Sequence, residues 1–465
     1  MTSPPDLSRL SHADKDALIR ALFAQLHGLA ERVKALEAEN AALRERLNLP
    51  AKTPQNSSTP PSQGHKANSE PSHGRKGKAH PGAARALHPN PTRHCDVAAT
   101  RCQHCRADVS GVTQQAVQSY DRIELPEIRP DVTRVTLRGG LCPCCARRFK
   151  AEPPSGLEPG SPFGPNLRAF VLYLRYSQAI SFERLTRLLS DLLGLPISEG
   201  ALANMLDDSR QAFAWQASLI RQHLLAGTAL QSDETSMRVG KRTWWTWVFH
   251  HADSACFVIR PSRGSAVVAA FLGAVRPDYW VSDRYGAQMG WAAKEQQVCL
   301  AHLLRDVQYA VDAGDTAFAP GLKRLLQQAT GIGQRRPRLA DATLRAYANT
   351  LERTLDALLR IVPGNRPGEK LQEVIKKVRQ HLFVFVTNRD LPATNNGSEQ
   401  ALRPCVTFRK VTNCFRSQWG ADLYADIRSV IETARRRAVG ALEAIQLTLK
   451  NIPLPLCQPV PILTG

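Results

Sequence analysis

Near the start of the chain an apolar residue returns at every seventh position. Leu22, Leu29, Leu36 and Leu43 form one row, and Leu26, Val33, Asn40 and Leu47 form a second row four residues on. A seam of this period predicts a helix that winds around another, and an Asn on the seam suits a parallel pair, where its amide bonds to its twin. Arg32 with Glu37, and Glu39 with Arg44, take the flanking positions where ion pairs form across such a coil. A lone amphipathic helix carries the same pattern.

The period is lost after Pro50. Residues 50–94 contain no Ile, Val or aromatic residue, and they carry seven Lys or Arg against one Glu. A segment with so little to bury does not repay its ordering entropy and reads as a flexible basic linker. Its "GRKGKAH" is either a non-specific DNA contact or a solvated spacer.

A helical period appears from about residue 160 to 226. "FERLTRLLSDLLGLPISEGALANMLDDS" reads as a helix, a Gly-Leu-Pro break and a second helix capped by Ser198. This has the length of a helix-turn-helix DNA reader, and ordinary helix pairs look the same. At Ala229 the pattern turns to strands: "ALQSDETSMRV", "TWWTWVFHH", "ACFVIRPS" and "YWVSDRYG". The turns "GKR" and "HADS" make the first three a meander. Apart from "QQVCLAH", the chain then reads as helical to about Val386, and "ADLYADIRSVIETARRRAVGALEAIQLTL" reads as one long closing helix.

Composition narrows the function. No apolar run approaches the roughly 18 residues of a membrane span, and the N-terminus lacks the basic-then-apolar pattern of a signal peptide. A soluble protein inside the cell is expected. The net charge of +20 and sequence pI near 9.8 call for a polyanionic partner, with nucleic acid the default. The 11 cysteines are an odd number, expected reduced or metal-bound in a cytoplasm. "CQHC" (Cys102, Cys105) and "CPCC" (Cys142, Cys145) are two C-x-x-C knuckles suited to one tetrahedral zinc site, with Cys144 a rival to Cys145 and Cys95 spare. The alternating residues of "SYDRIELPEIRPDVTRVTLRGG" between them predict a small β-ribbon.

Two acids follow hydrophobic strands: Asp233 after "ALQS" and Asp283 after "YWVS". A meander followed by a returning strand is the order of ribonuclease H-like folds, in which the first and fourth strands are neighbours. Carboxylates brought together there repel unless a divalent cation lies between them, and Mg²⁺ or Mn²⁺ fits such oxygen ligands. In "ATNNGSEQALR", Glu399 opens a helix and would supply a third acid, with Ser398 or Asn396 as cap and Arg403 four residues on, on the same face. Each acid alone has an ordinary alternative, a strand-end turn or a solvated surface charge. Glu234 would point to the opposite face of the strand from Asp233.

"SDETSMRV", "WVSDRYGAQMGW", "CLAHLLRDVQYA" and "TNNGSEQALRP", with the following "RK", "NCFRS" and "IRSVIETAR", closely resemble the insertion-sequence 66 family of bacterial transposases. The resemblance extends to the zipper, "QNSSTPPS" and the four-cysteine element. It implies a ribonuclease H-like nuclease whose Asp-Asp-Glu triad falls on Asp233, Asp283 and Glu399. Arg403 and Lys410 become candidate DNA contacts, and His302 of "CLAH" a supporting or structural residue. Leu300 stands where many relatives have Trp, and Gln400 where many have Arg.

The expected architecture is multidomain α/β. It comprises a coiled coil (12–49), a basic linker (50–94), a zinc-binding β-ribbon (95–150) and a helical DNA-binding region (160–226). A ribonuclease H-like catalytic domain (227–415) with a helical insertion (300–390) and a C-terminal helical region (416–465) complete it. The expected partners are DNA (the element's terminal inverted repeats and target DNA), further copies of the chain, and accessory proteins of the same element, in a bacterial cytoplasm at the nucleoid. Expected cofactors are Mg²⁺ or Mn²⁺ for catalysis and structural Zn²⁺. The contrasting expectation is a zinc-containing DNA-binding regulator with an idle nuclease fold.

Overall fold

The computed structural model describes residues 11–47, 49–57 and 85–456. Contacts divide the chain into two units, one formed by 1–65, 161–185 and 199–465, the other by 66–160 and 186–198. No helix among the described residues is long and apolar enough to cross a membrane.

Helix α1 (His12–Leu47) opens the first unit. Ser11 caps it, its Oγ accepting from the Asp14 N–H at 3.2 Å. Leu22, Leu26, Leu29, Val33 and Leu36 all lie exposed along it, so the single chain leaves the seam uncovered. The side chains of Leu43, Arg44 and Leu47 lie outside the described residues, as does "GRKGKAH".

The segment after α1 begins with an ordered turn, where the sequence predicted only linker. Asn56 is buried and accepts from the Thr53 N–H at 2.7 Å, while its amide donates to Asp312 Oδ2 at 3.1 Å. The Lys52 ammonium sits 5.7 Å from the ring centroid of Tyr309. One Asn side chain that closes its own turn and reaches a distant carboxylate orders a stretch with no apolar content to bury.

In the second unit, β1 (Gly139–Leu141) and β2 (Arg148–Lys150) form an antiparallel pair around the second cysteine knuckle. The predicted ribbon between the knuckles does not form: residues 113–138 carry no ladder. Pro126 and Pro130 remove backbone donors there.

Helices α2 (Pro165–Leu172), α3 (Phe182–Leu193), α4 (Glu199–Asp208) and α5 (Arg210–Leu225) follow. Gly194, at φ +62°, ends α3 in the left-handed conformation that glycine adopts freely.

The central sheet has five strands in the order β5-β4-β3-β6-β7. Strands β3 (Ala229–Val239), β4 (Arg242–His251) and β5 (Ser254–Arg260) are the antiparallel meander. Helix α6 (Ser265–Leu272) then leads to β6 (Tyr279–Ser282), which returns parallel to β3, with β7 (Glu295–Val298) outside it. Alternation along the strands gives the sheet two apolar faces. Leu230, Trp247, Phe249 and Trp280 pack with α6. Ala229, Val281 and Val298 pack on the other face with the helices that follow.

Those helices are α7 (Leu300–Asp312), α8 (Ala319–Arg335), α9 (Asp341–Leu358), α10 (Arg366–Val378) and α11 (Val384–Thr387), where the insertion was expected. Helix α12 (Asn396–Thr412) returns the chain to β3. The predicted single closing helix is two, α13 (Gln418–Arg436) and α14 (Ala441–Leu449), divided where Ala438 takes φ +57°. Helix α13 covers the sheet edge: Ser429 Oγ accepts from the Phe257 N–H at 2.8 Å, and Thr433 Oγ1 from the Ala255 N–H at 3.1 Å. Its hydroxyls satisfy amides that an edge strand otherwise exposes.

Candidate active site

Parallel pairing matches Ala229 with Tyr279 and Gln231 with Val281. Carried two residues further, this register sets Asp233 level with Asp283. Both acids share the parity of Ala229 and Val281, so both belong to the face covered by the helical insertion. The sequence predicted this juxtaposition from strand order alone.

Asp233 is the electrostatic centre. Burial pushes its carboxyl well above the usual range, and the charges of Asp283, Glu234 and Glu399 push it further, against a bond from the Glu234 N–H at 2.8 Å. Among the described residues neither Asp233 nor Asp283 has an ion pair with a basic side chain. Asp283 instead turns back on its own loop, Oδ1 accepting from the Tyr285 N–H at 2.9 Å.

Glu399 lies in the first turn of α12. Its Oε1 is 3.7 Å from His302 Nε2 and 4.0 Å from an Arg305 guanidinium nitrogen. Burial lowers the His302 pKa, against the pull of Asp283 and Glu399, and its Nδ1 is buried without a hydrogen-bond partner. His302, Arg305 and Asp306 are spaced three and four apart on α7, and Asp306 pairs with Arg284, the residue after Asp283. The sequence singled out His302. Arg305, three residues on along the same helix, is a neighbour of Glu399 that the sequence reading does not include.

The start of α12 corrects the expected capping. Neither Ser398 nor Asn396 caps the helix; Asn395 is the N-cap residue, and no side chain supplies a capping bond. Ser398 is buried, its Oγ 2.8 Å from His250 Nε2 and donating to Asn395 Oδ1 at 2.7 Å. Fully buried Asn395 donates from Nδ2 to the Ser232 carbonyl at 2.7 Å and from its backbone N–H to Cys299 Sγ at 3.1 Å. These bonds tie the Glu399 helix to the Asp233 strand. Gly397 allows the approach, since a Cβ there would stand 3.0 Å from His250 Cε1. Arg403 and Lys410 are exposed on the same helix.

A family model described as "Transposase IS66 family" matches residues 160–423, more than half of the chain, including all three acids and both exposed basic residues. The chain belongs to the IS66 transposase family. No curated protein matches it. In this IS66 transposase the first acid's neighbour, Glu234, faces away from Asp233 as expected. It shares the α6 face with its cross-strand partner Trp247 and bonds there to Arg263 and Gln288.

The cysteine element repeats one geometry twice. The Cys102 N–H donates to the Ala107 carbonyl and the Arg106 N–H to the Cys102 carbonyl, both at 2.9 Å; Cys142 with Arg147 and Ala146 does the same at the same distances. Arg106 and Ala146 both take positive φ, 62° and 53°. Amides of Cys105 and His104 lower the Cys102 thiol pKa, and those of Cys145 and Cys144 lower that of Cys142. Amides aimed at sulfur favour the thiolate that binds metal. Among the described residues, however, no group of three or more His, Cys, Asp or Glu side chains is placed to hold a metal ion, at the acids or at the cysteines. Cys102 and Cys142 are half-buried, whereas Cys95, Cys105, Cys144 and Cys145 are exposed.

Proposed function

We propose that the chain is a DNA transposase whose Asp233, Asp283 and Glu399 form a divalent-metal site within a ribonuclease H-like core. The observation that carries this reading is the parallel pairing of Gln231 with Val281, two residues before Asp233 and Asp283, with Glu399 tied alongside through Asn395 and Ser232. Asp233 and Asp283 are half-buried and have no basic partner among the described residues, which makes them costly neighbours, and a cation offsets that cost. The donor set is all oxygen, which suits Mg²⁺ or Mn²⁺. Asp233, Asp283 and Glu399 would hold the metal ions, which would supply an activated water or 3′-hydroxyl and stabilisation of the leaving oxygen, for cutting element 3′ ends and joining them to target DNA by transesterification.

The chain's own residues do the rest. His302 and Arg305 flank the Glu399 carboxylate and orient it. Arg403 and Lys410 contact the DNA backbone, making affinity fall steeply with salt. The exposed seam of α1 pairs with a second copy of the chain, and Cys102, Cys105, Cys142 and Cys145 hold a structural zinc. The domain limits expected from the sequence, including a DNA-reading function for 160–226, belong to this proposal.

Transposition of the intact element into a conjugative plasmid tests the reading. Wild type should transpose, and Glu399→Gln, at equal protein level, should not. Equal transposition by both would remove Glu399 from the site.

A further inference from the structure

The triad reading leaves unexplained how a short strand end keeps Asp283 beside Asp233. Strand β6 stops at Ser282, and from Asp283 the backbone leaves the sheet through the turn Gly286–Gln288. Like charges at this point push the turn away from β3. Something must hold it.

The hold lies on the α6 face, behind the acids. Arg263 binds Glu234 Oε1 through Nε at 2.7 Å and Nη2 at 2.6 Å. The Glu234 side chain is only 1% exposed. The guanidinium of Arg263 also lies 4.1 Å from the ring centroid of Tyr285 and 4.7 Å from that of Trp245. Tyr285 is the residue whose N–H holds the Asp283 carboxylate. The other oxygen of Glu234 accepts from Gln288, at the far end of the same turn. Gln288 Oε1 accepts from Ser232 Oγ at 2.6 Å, which accepts from Trp280 Nε1 at 3.0 Å. Gln296 closes the network from β7, donating to the Gln288 carbonyl and to Ser282 Oγ, both at 3.1 Å.

We propose that Arg263 is a positioning residue: forked onto Glu234 and stacked on Tyr285, it fastens the Asp283 turn to the Asp233 strand. This rests on the triad reading of the previous subsection. Glu234 is then the anchor of the clamp rather than a metal ligand, and its place beside Asp233 follows from strand alternation. One residue of β3 faces the metal and the next fixes the partner acid from behind. Lys does not replace Arg here. It keeps the charge but cannot bring two donors of one rigid plane onto Glu234 Oε1, and it has no flat guanidinium to lie over the Tyr285 ring.

The test uses the full chain, wild type against Arg263→Lys, with Glu234→Gln as a second variant in case the first folds poorly. Hydrogen exchange of the metal-free protein should speed up in residues 283–289 in both variants, while β3, β4 and β5 keep wild-type protection. Mn²⁺ affinity, read by electron paramagnetic resonance, should fall about 10-fold or more, the usual effect of removing support behind a metal ligand. Unchanged exchange of the turn in both variants overturns the clamp. Faster exchange with unchanged Mn²⁺ affinity overturns its positioning role. Asp283→Asn separates this from failure of the triad: if it leaves Mn²⁺ binding intact, the metal site is wrong, while faster turn exchange in Arg263→Lys still establishes the clamp.

Discussion

The side-chain amide of Asn395 donates to the backbone carbonyl of Ser232 at 2.7 Å, across a separation of 163 residues. Ser232 precedes Asp233, and Asn395 stands four residues before Glu399. Replacing Asn395 by Ala takes the side-chain donor from that carbonyl and leaves the buried Ser398 hydroxyl with His250 alone. The expected loss is about 1–3 kcal/mol of stability. Asn395→Asp should be worse, because it sets a buried acceptor against a carbonyl. Urea denaturation of the three proteins checks the order; equal midpoints would mean that the bond does not hold the helix.

The acids predict a stability gain from an inactivating change. Burial and neighbouring acids raise the folded pKa of Asp233, so the folded state holds that proton longer than the unfolded chain. Its contribution therefore worsens as pH rises above the ordinary carboxylate range. In metal-free protein at pH 7.5, Asp233→Asn should raise the melting temperature while abolishing DNA cleavage. Mg²⁺ should raise the melting temperature of wild type and leave that of the variant unmoved. A variant less stable than wild type without metal would contradict the account.

The parts of the site legible in the sequence are those that follow from local pattern. Asp283 follows the end of its strand as expected, whereas β3 runs past Asp233 to Val239 rather than ending before the acid; the order of the strands made the two acids neighbours. Glu399 was legible because turn-forming residues precede it. What lay hidden was the fastening. Asn395 reads as one more turn residue, and nothing local distinguishes it from Asn396, yet it alone reaches Ser232. Arg263 reads as a solvated loop charge, because its partners Glu234 and Tyr285 are far away in sequence. The break in the closing helix was missed because "RRRAVG" keeps the helical period until Ala438 turns left-handed. The strands expected in 113–138 failed for the opposite reason, since alternation without a partner face does not hold a ladder.

A second titrating group lies away from the triad. Burial, together with Asp422, raises the carboxyl of Asp426 to about 7 against the opposing charge of Arg260. It lines a cavity of about 430 Å³ with Arg221, Cys256 and Phe271. The folded state is favoured while Asp426 is protonated, so stability is lost as pH rises from the ordinary carboxylate value to about 7. Asp426→Asn should flatten that slope and stabilise the protein at pH 8 by on the order of 4 kcal/mol, the size of a shift of this kind. Parallel slopes for the two proteins across pH 4–8 would exclude Asp426 as the cause.

The cysteine knuckles predict a removable metal. Purified wild type should carry one equivalent of zinc by atomic absorption, and Cys105→Ser none. Chelation should expose the backbone of residues 100–109 and 140–150 to hydrogen exchange and leave the five-stranded sheet protected. Zinc retained by Cys105→Ser would assign the metal to other ligands.

The central claim is that three acids on β3, after β6 and at the start of α12 act as one metal-dependent nuclease site. Its most direct measurement is 3′-end nicking of an oligonucleotide carrying the element terminus, by purified protein with and without Mg²⁺. The account predicts nicking by wild type only with the metal, and none by Asp233→Asn, Asp283→Asn or Glu399→Gln at wild-type melting temperature or above. Metal-dependent nicking that survives in any of the three would contradict it.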